Sequence, residues 1–426
     1  MKYLYARRAL IFFSLLFPAV SQAQSDDTTF VKVGGAVRFN LMYTIYEGET
    51  SPLPTENRTG MFWDVFRIEA EAQKNGIGLT FEYRFYPGFN THFIKKGFLS
   101  YYTAPDQKLE LGVTQVPFGM LPILGNSWWF QLPYYVGLED DYDTGIKYRW
   151  ENGPWTFHLA YFLMAEPRGV SEPDFGSFAS ARYSYDIIPK DGYNGNKERN
   201  QGNFRVEYQH DKTWSAGFSA EAGQVYNSVA ESSSGRYALA AHAQINLNPR
   251  MNIKLQALTY DHPGILNDEG TEEVNYVNMG AYGFGTYEIA ARANMYSVGL
   301  SYNLPLDWGP VESLTFYEDY SYMQKYGQID IDGVSTEFVN SQHNVLGFLV
   351  TAGHIYTYFD IASGINQPWL SSAFGGTSLS AGRGEDATVP PGGDFDRDPT
   401  NGTQANQLDS SPPWNTRFNI NIGYYF

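Results

Sequence analysis

The 426-residue chain contains no cysteine, and beyond residue 23 it has no apolar run of the roughly 20 residues that a membrane-spanning helix needs. The missing thiols exclude a disulfide-stapled scaffold and a cysteine zinc site. The missing apolar runs exclude a bundle of transmembrane helices. Disorder is excluded because 17% of the residues are aromatic. What remains is a chain with 42 Gly and 33 Tyr, a composition typical of a large all-β protein.

The first residues have the pattern of a secretory signal peptide. Basic residues, among them Arg7 and Arg8, precede an apolar segment at 9–20, and Ser21-Gln22-Ala23 provides the small residues of a cleavage site. We therefore expect residues 1–23 to be removed and residues 24–426 to form one folded domain.

The last residues alternate between two faces at the two-residue period of a β-strand. One face holds Phe418, Ile420, Ile422, Tyr424 and Phe426, and the other holds Asn419, Asn421 and Gly423. An alternating strand that ends on Phe resembles the C-terminal assembly signal of bacterial outer-membrane barrels. This resemblance implies a bacterial outer-membrane location, contact with lipid and lipopolysaccharide, and recognition of Phe426 by the barrel assembly machinery.

The same alternation recurs along the chain and predicts sixteen antiparallel strands in one transmembrane β-barrel. We expect them at 31–46, 61–73, 77–86, 93–103, 108–117, 142–151, 155–165, 201–210, 214–226, 236–247, 251–260, 291–304, 311–323, 342–351, 354–363 and 414–426. Neither face of 93–103 is cleanly apolar. Asp64 and Glu318 fall on predicted lipid-facing sides, where a carboxylate is costly.

The predicted connections differ on the two sides of the barrel. Segments after even-numbered strands are short and rich in Gly, Pro, Asn and Asp, as tight turns require. Most segments after odd-numbered strands are long. This asymmetry is typical of short periplasmic turns and long extracellular loops, and it puts both chain ends on the periplasmic side.

The net charge of −17 is concentrated in the predicted long loops, which hold 28 Asp and Glu against 9 Lys and Arg. The acidic runs include Glu139-Asp140-Asp141, Asp268-Glu269 with Glu272-Glu273, and the segment 394–398. They could serve solubility, or bridge divalent cations to lipopolysaccharide or within a loop. Segment 394–398 lacks the spacing of an EF-hand, so the sequence predicts no specific metal site and no cofactor.

The predicted inner wall carries charged residues on many strands. The candidate pore-lining set is Arg38, Arg67, Glu69, Arg84, Lys147, Arg149, Arg205, Arg236, Lys254 and Arg417. Two interpretations stay open. The set could form an ion-conducting lining that favours anions, or it could stabilise the sheet through cross-strand pairs. Arg292 has the opposite parity and is expected at the outer interface.

Segment 118–141, the third long connection, is strongly apolar for an exposed loop. It should therefore pack into the barrel lumen or against a neighbouring subunit. The candidate constriction residues in it are Trp128, Trp129, Tyr134, Tyr135, Glu139, Asp140 and Asp141. Its rings could stack on sugars or cover a subunit interface. It contains no Lys or Arg.

Three stretches carry a family resemblance. They are Leu-Gly-Val-Thr-Gln-Val-Pro-Phe-Gly at 111–119, Asp-Thr-Gly-Ile-Lys-Tyr at 143–148 and Tyr-Glu-Asp-Tyr-Ser at 317–321. The chain resembles the phosphate-selective porin O/P family in these places. The resemblance implies a sixteen-stranded, homotrimeric channel for passive diffusion. It does not extend to phosphate, because segment 118–141 lacks the basic residues on which that specificity depends.

The expected function is thus a water-filled outer-membrane channel for small hydrophilic solutes or anions. Alternatives are an outer-membrane transporter for hydrophobic compounds and a barrel-embedded hydrolase. His158 and His242 fall on predicted lumen faces, but no familiar nucleophile motif accompanies them. The sequence therefore predicts no enzyme activity, and it gives no sign of a nucleic-acid partner.

Overall fold

The computed structural model describes residues 29–45, 59–171, 178–190, 192–283, 286–331, 334–367, 369–370 and 414–426. The predicted signal peptide at 1–23 and the acidic segment 394–398 lie outside the described residues. In the part of the chain that is described, no helix has the length and apolar character to cross a membrane.

Sixteen antiparallel strands pair in chain order and close into a barrel, because the first strand also pairs with the last. They are β1 (Phe30–Ile45), β2 (Thr59–Lys74), β3 (Ile77–Tyr86), β4 (Thr91–Ala104), β5 (Gln107–Gln115), β6 (Tyr142–Asn152), β7 (Trp155–Ala165), β8 (Asn196–His210), β9 (Trp214–Asn227), β10 (Ser232–Asn248), β11 (Met251–Asp261), β12 (Arg292–Trp308), β13 (Val311–Tyr326), β14 (Ser341–Ala352), β15 (Ile355–Ile365) and β16 (Asn415–Tyr425). The predicted all-β barrel and all sixteen predicted strands are confirmed, with ends that differ by a few residues.

The barrel closes between β1 and the end of the chain. The Gly35 backbone N–H donates to the Phe426 carbonyl at 2.9 Å, and the Phe426 N–H donates back at 3.1 Å. A Cβ at Gly35 would lie 2.4 Å from the Arg67 carbonyl oxygen and 2.8 Å from the Phe426 ring. Only glycine therefore allows this close approach.

Side chains alternate between an apolar outer surface and a polar interior. Val31, Val33, Leu111 and Leu159 are between 55% and 74% exposed on the outside. Inward-facing residues of the same strands, such as Glu110 and His158, are buried within the barrel. An apolar outer surface around a polar interior is the arrangement that a lipid-embedded barrel requires.

A β-bulge changes the predicted orientation of Asp64. Arg38 pairs with Val65 and Phe39 pairs with Trp63, so Asp64 is an extra residue in β2. Its side chain turns inward, with Oδ2 2.9 Å from Nη2 of Arg38. The prediction that Asp64 faces lipid is wrong, because the bulge shifts the two-residue parity by one position.

A second bulge explains why 93–103 shows no apolar face. Tyr83 pairs with Ile94 and Glu82 pairs with Lys96, so Lys95 is the extra residue in β4. Lys95 is 7% exposed and lies inside the barrel. Lys96 also faces inward, with Nζ 3.3 Å from Oε2 of Glu82.

Two outward-facing charges lie where the sequence predicts them. Glu318 is exposed and pairs with Leu300, at the middle of β12. Its Oε1 accepts a hydrogen bond from Nδ2 of Asn344 at 3.3 Å. Arg292, at the extracellular end of β12, is exposed and lies 4.9 Å from the centre of the Tyr326 ring.

The long connections add smaller sheets. Segments 186–187, 276–280 and 287–290 form a three-stranded antiparallel sheet. Residues 170–171 pair with the start of β4, and 328–331 pair with 334–337 as a hairpin. Segment 118–141, called L3 from here on, turns into the barrel interior, and its residues 132–136 form a 3₁₀ helix.

Candidate functional site

L3 folds into the lumen and crosses to the strands β8–β13. The rings of Trp129, Tyr134 and Tyr135 are each 3% exposed. Arg205 on β8 donates from Nε to the Gly119 carbonyl at 2.7 Å. Of the two packing sites that the sequence left open, lumen and neighbouring subunit, the structure places this loop in the lumen.

Asp319 on β13 holds the tip of L3. Its Oδ2 accepts the backbone N–H groups of Asn126 and Ser127, each at 2.7 Å, and its Oδ1 accepts Nδ2 of Asn126 at 2.8 Å. Charge-assisted hydrogen bonds of this kind are stronger than neutral ones. Lys254 on β11 adds a bond from Nζ to the Gly125 carbonyl at 3.2 Å.

Glu139 fixes the loop from within. Its Oε1 accepts the backbone N–H of Leu124 at 2.8 Å and that of Gly125 at 3.3 Å. Burial away from water raises the pKa of Glu139 to about 7, against the lowering effect of these two hydrogen bonds. Glu139 therefore serves to hold L3 in shape.

A chamber of about 420 Å³ remains between L3 and the opposite wall, which is formed by β16 and β1–β4. We call it the luminal chamber. Its charged lining consists of four basic side chains (Arg38, Arg84, Lys95 and Arg417) and two carboxylates (Asp64 and Asp140). Aromatic rings also line it. Eight come from L3 and from loops later in the chain (Trp128, Trp129, Phe130, Tyr134, Tyr135, Tyr183, Tyr185 and Tyr282), and five more lie on the strands or near β15 (Phe62, Trp63, Tyr86, Tyr142 and Trp369).

Basic groups of the luminal chamber lie against these rings. Cζ of Arg417 is 4.5 Å from the centre of the Trp129 ring, and Cζ of Arg84 is 4.6 Å from that of Tyr183. Nζ of Lys95 is 4.0 Å from the same Tyr183 ring. Contacts at these distances are cation–π interactions, which fix the position of each charge.

The carboxylates around the chamber are shared among several bases. Oε1 of Glu82 lies 2.6 Å from Nε of Arg84 and 3.8 Å from Nη1 of Arg67, and Oε2 faces Lys96. Lys95 pairs with Asp140 at 3.0 Å. Because three bases share Glu82, this wall keeps an excess of positive charge.

The predicted pore-lining residues all lie on the inner wall, in three different settings. Arg38, Arg84 and Arg417 border the luminal chamber, with Arg67 and Glu69 paired beside it at 3.6 Å. Arg205 and Lys254 bind L3 instead. Lys147 pairs with Glu110 at 2.8 Å, Arg149 pairs with Glu151, and Arg236 pairs with Glu198 and Glu221.

The predicted constriction residues of L3 fall into two groups, those that line the luminal chamber and those that do not. Trp128, Trp129, Tyr134, Tyr135 and Asp140 line the chamber. Glu139 and Asp141 are buried and do not line it. L3 carries Glu139, Asp140 and Asp141 inside the barrel and leaves them at most 7% exposed, so this acidic run does not belong to the outer surface with the other acidic loops.

Sequence reasoning missed several chamber residues. The alternation in 93–103 is interrupted at Lys95, and that interruption was the available signal for a bulge. Tyr183 and Tyr282 come from loops far along the chain, and no local pattern distinguishes them from other loop tyrosines.

Solved structures that share this fold include outer-membrane channels and porins. The outer membrane channel DcaP of Acinetobacter baumannii matches with a TM-score of 0.54 at 10% identity, covering 94% of this chain and 99% of its own. OmpF of Salmonella typhi, in complex with daunomycin, matches with a TM-score of 0.54 at 12% identity, with the same coverage. The trimer form of OmpT from Vibrio cholerae gives 0.50 at 10% identity, covering 94% and 100%.

No protein-family model matches the sequence, and no curated protein matches it significantly. The structural matches share the fold, and they do not single out the phosphate-selective porin O/P family. The chain thus has the fold of a porin-like outer-membrane channel. Its closed barrel and apolar outer surface place it in the bacterial outer membrane.

Proposed function

We propose that this protein is a passive diffusion channel for small hydrophilic solutes, with a preference for anions. The observation that carries the proposal is the lining of the luminal chamber, where four basic side chains face two carboxylates. A surplus of fixed positive charge in a narrow polar passage lowers the barrier for anions. The acidic outer loops do not oppose this, because a passing ion experiences mainly the charges closest to it.

The aromatic side of the chamber suggests the kind of anion. A volume of about 420 Å³ suits one small molecule at a time. Arg417 and Arg84 can engage a carboxylate while the rings of Trp128 and Tyr134 contact an apolar part of the same solute. We therefore expect small organic acids to pass more readily than neutral sugars of similar size.

We do not propose a catalytic role for the luminal histidines. His242 lies 3.0 Å from Oε2 of Glu207 and 3.1 Å from Nη2 of Arg205, within an ion-paired part of the wall.

From the fold we also propose a homotrimer, lipopolysaccharide contact and assembly through Phe426. The exposed Phe426 side chain at the barrel seam supports the last of these.

Reversal potentials across planar bilayers in a salt gradient test the proposal. We expect open channels with anion preference, and roughly a twofold fall in the anion-to-cation permeability ratio for Arg417→Gln. Arg149→Gln is the matched control, because Arg149 lies outside the chamber and pairs with Glu151. Absence of conductance would refute the channel, and cation preference of the wild type would refute the anion part.

Liposome swelling then tests the solute class. We expect faster swelling with small mono- and dicarboxylates than with neutral sugars of similar size, since only the former meet the basic wall. Equal rates for acids and sugars in wild-type liposomes would contradict the solute class and leave the ion-selectivity result standing.

A further inference from the structure

A group of buried carboxylates lies behind L3, away from the luminal chamber. Asp141 ends L3, Asp143 begins β6, and Asp186 belongs to the short strand 186–187 in the next long loop. One oxygen from each lies within 4.8 Å of the other two. The three side chains are 5%, 1% and 1% exposed, so water cannot shield their charges from one another.

Oxygens of these side chains lack hydrogen-bond donors. Over the described part of the chain, Oδ1 of Asp141, Oδ1 of Asp143 and Oδ1 of Asp186 are buried without a hydrogen-bond partner. Oε2 of the neighbouring Glu166 is also buried without a hydrogen-bond partner. Buried carboxylate oxygens are ordinarily satisfied, so unpartnered oxygens on three carboxylates that approach one another this closely call for a cationic partner or for bound protons.

The surrounding charges do not neutralise the group. Arg182 pairs with Oδ2 of Asp186 at 2.7 Å. Arg236 is already engaged by Glu198 and by Glu221. Glu166 and Glu198 add further negative charge that acts on Asp143. Carboxylates therefore outnumber guanidinium groups in this buried region.

The chemistry of the donor set favours calcium. Ca²⁺ binds carboxylate oxygens at roughly 2.3–2.6 Å, so ligands around one ion can lie up to about 5 Å apart. Mg²⁺ demands shorter bonds and retains water, for which a group this deeply buried is poorly suited. Soft metals prefer sulfur or imidazole ligands, which this group does not supply.

We propose that Asp141, Asp143 and Asp186 bind one divalent cation of the calcium type. The ion would join the base of L3 to the loop that contains Asp186. That loop also pairs with strand 276–280 through Ile187 and Met279. The cation would thus hold together the loops that surround the chamber, from the side of L3 that faces away from it. Its binding does not depend on which solutes the channel passes.

Direct binding to the full-length barrel tests the site. Protein refolded into detergent without lipopolysaccharide avoids calcium carried by that lipid. After removal of metal with EDTA, equilibrium dialysis against Ca²⁺ should give one ion per chain at sub-millimolar concentration, and the same concentration of Mg²⁺ should not displace it. Terbium in place of calcium should give luminescence sensitised by Tyr142 and Tyr185, the chain neighbours of the ligands.

Variants localise the binding. Asp141→Asn with Asp143→Asn should abolish the bound ion and the terbium signal. Glu269→Gln with Glu273→Gln, two exposed acids of an outer loop, is matched in charge change and should keep both. Calcium should raise the unfolding temperature of the wild type and of this control by several degrees, and it should not raise that of the asparagine variant.

The wild-type measurement decides the matter even if the asparagine variant fails to fold. No bound calcium at millimolar concentration in the folded wild type would overturn the proposal, and it would mean that these carboxyls hold protons instead. Calcium retained by a folded asparagine variant would overturn the assignment to these residues. Conductance and selectivity, measured separately, would decide the channel proposal whatever the metal result.

Discussion

The two halves of the inner wall carry similar charged residues and use them differently. On β16 and β1–β4, Arg38, Arg84 and Arg417 border open space and lie against ion-pair partners or rings. On β8–β13, Arg205 and Lys254 are capped by backbone carbonyls of L3. The difference shows that a basic residue on a luminal face lines the passage only where the loop does not cover it.

The largest effect should come from releasing L3 from the wall that it covers. Asp319→Ala removes the acceptor for three N–H donors at the loop tip. We expect a loss of about 2–4 kcal/mol in unfolding free energy. We also expect larger and more variable single-channel conductance. Asp307→Ala, at an exposed residue near the periplasmic turn, is the control. Unchanged conductance in Asp319→Ala would show that L3 does not depend on this anchor.

A pair of lysines tests the two walls with the same substitution. Lys95→Met removes a charge that borders the luminal chamber, and Lys254→Met removes one that binds the Gly125 carbonyl. We expect roughly a twofold fall in anion preference for the first variant only. Lys254→Met should instead cost about 1–2 kcal/mol of stability. Reversal potentials and urea unfolding measure the two effects, and equal selectivity changes would refute the distinction between the walls.

The smallest effect should come from the aromatic side of the chamber. Trp128→Ala widens the passage without changing its charge, so conductance should rise by roughly a quarter and the permeability ratio should stay constant. Single-channel recordings at symmetric salt measure the first quantity, and reversal potentials measure the second. A shift in selectivity would mean that Trp128 also positions a charge, such as Arg417 beside its neighbour Trp129.

The barrel was predictable from the sequence because the outer and inner faces of its wall contact different environments. Lipid outside and water inside impose the two-residue period, and residues 418–426 show it without interruption. The period fails at Asp64 and Lys95, where a bulge adds one residue. A single sequence shows such an addition only as a local break in the pattern, which is also what a weak strand shows.

The candidate site was predictable in part. Arg38, Arg84 and Arg417 follow from strand parity alone. Their proximity to Trp129 and Tyr183 depends on how L3 and the loop containing Tyr183 fold, and loop paths have no period. The sequence also could not show that Asp140 and Asp141, although adjacent in the chain, lie on opposite sides of L3. Asp140 pairs with Lys95, and Asp141 lies beside Asp186.

The β-bulges at Asp64 and Lys95 have a consequence for how such a barrel can change. Asp64 and Lys95 each enter the lumen as an extra residue, so neither replaces a side chain on the lipid-facing surface. Insertion of one residue can thus add a charge to the passage while the number of strands and the outer surface stay as they were. Single-residue insertions and deletions, as well as substitutions, are therefore a route by which pores of this architecture could acquire a different permeability.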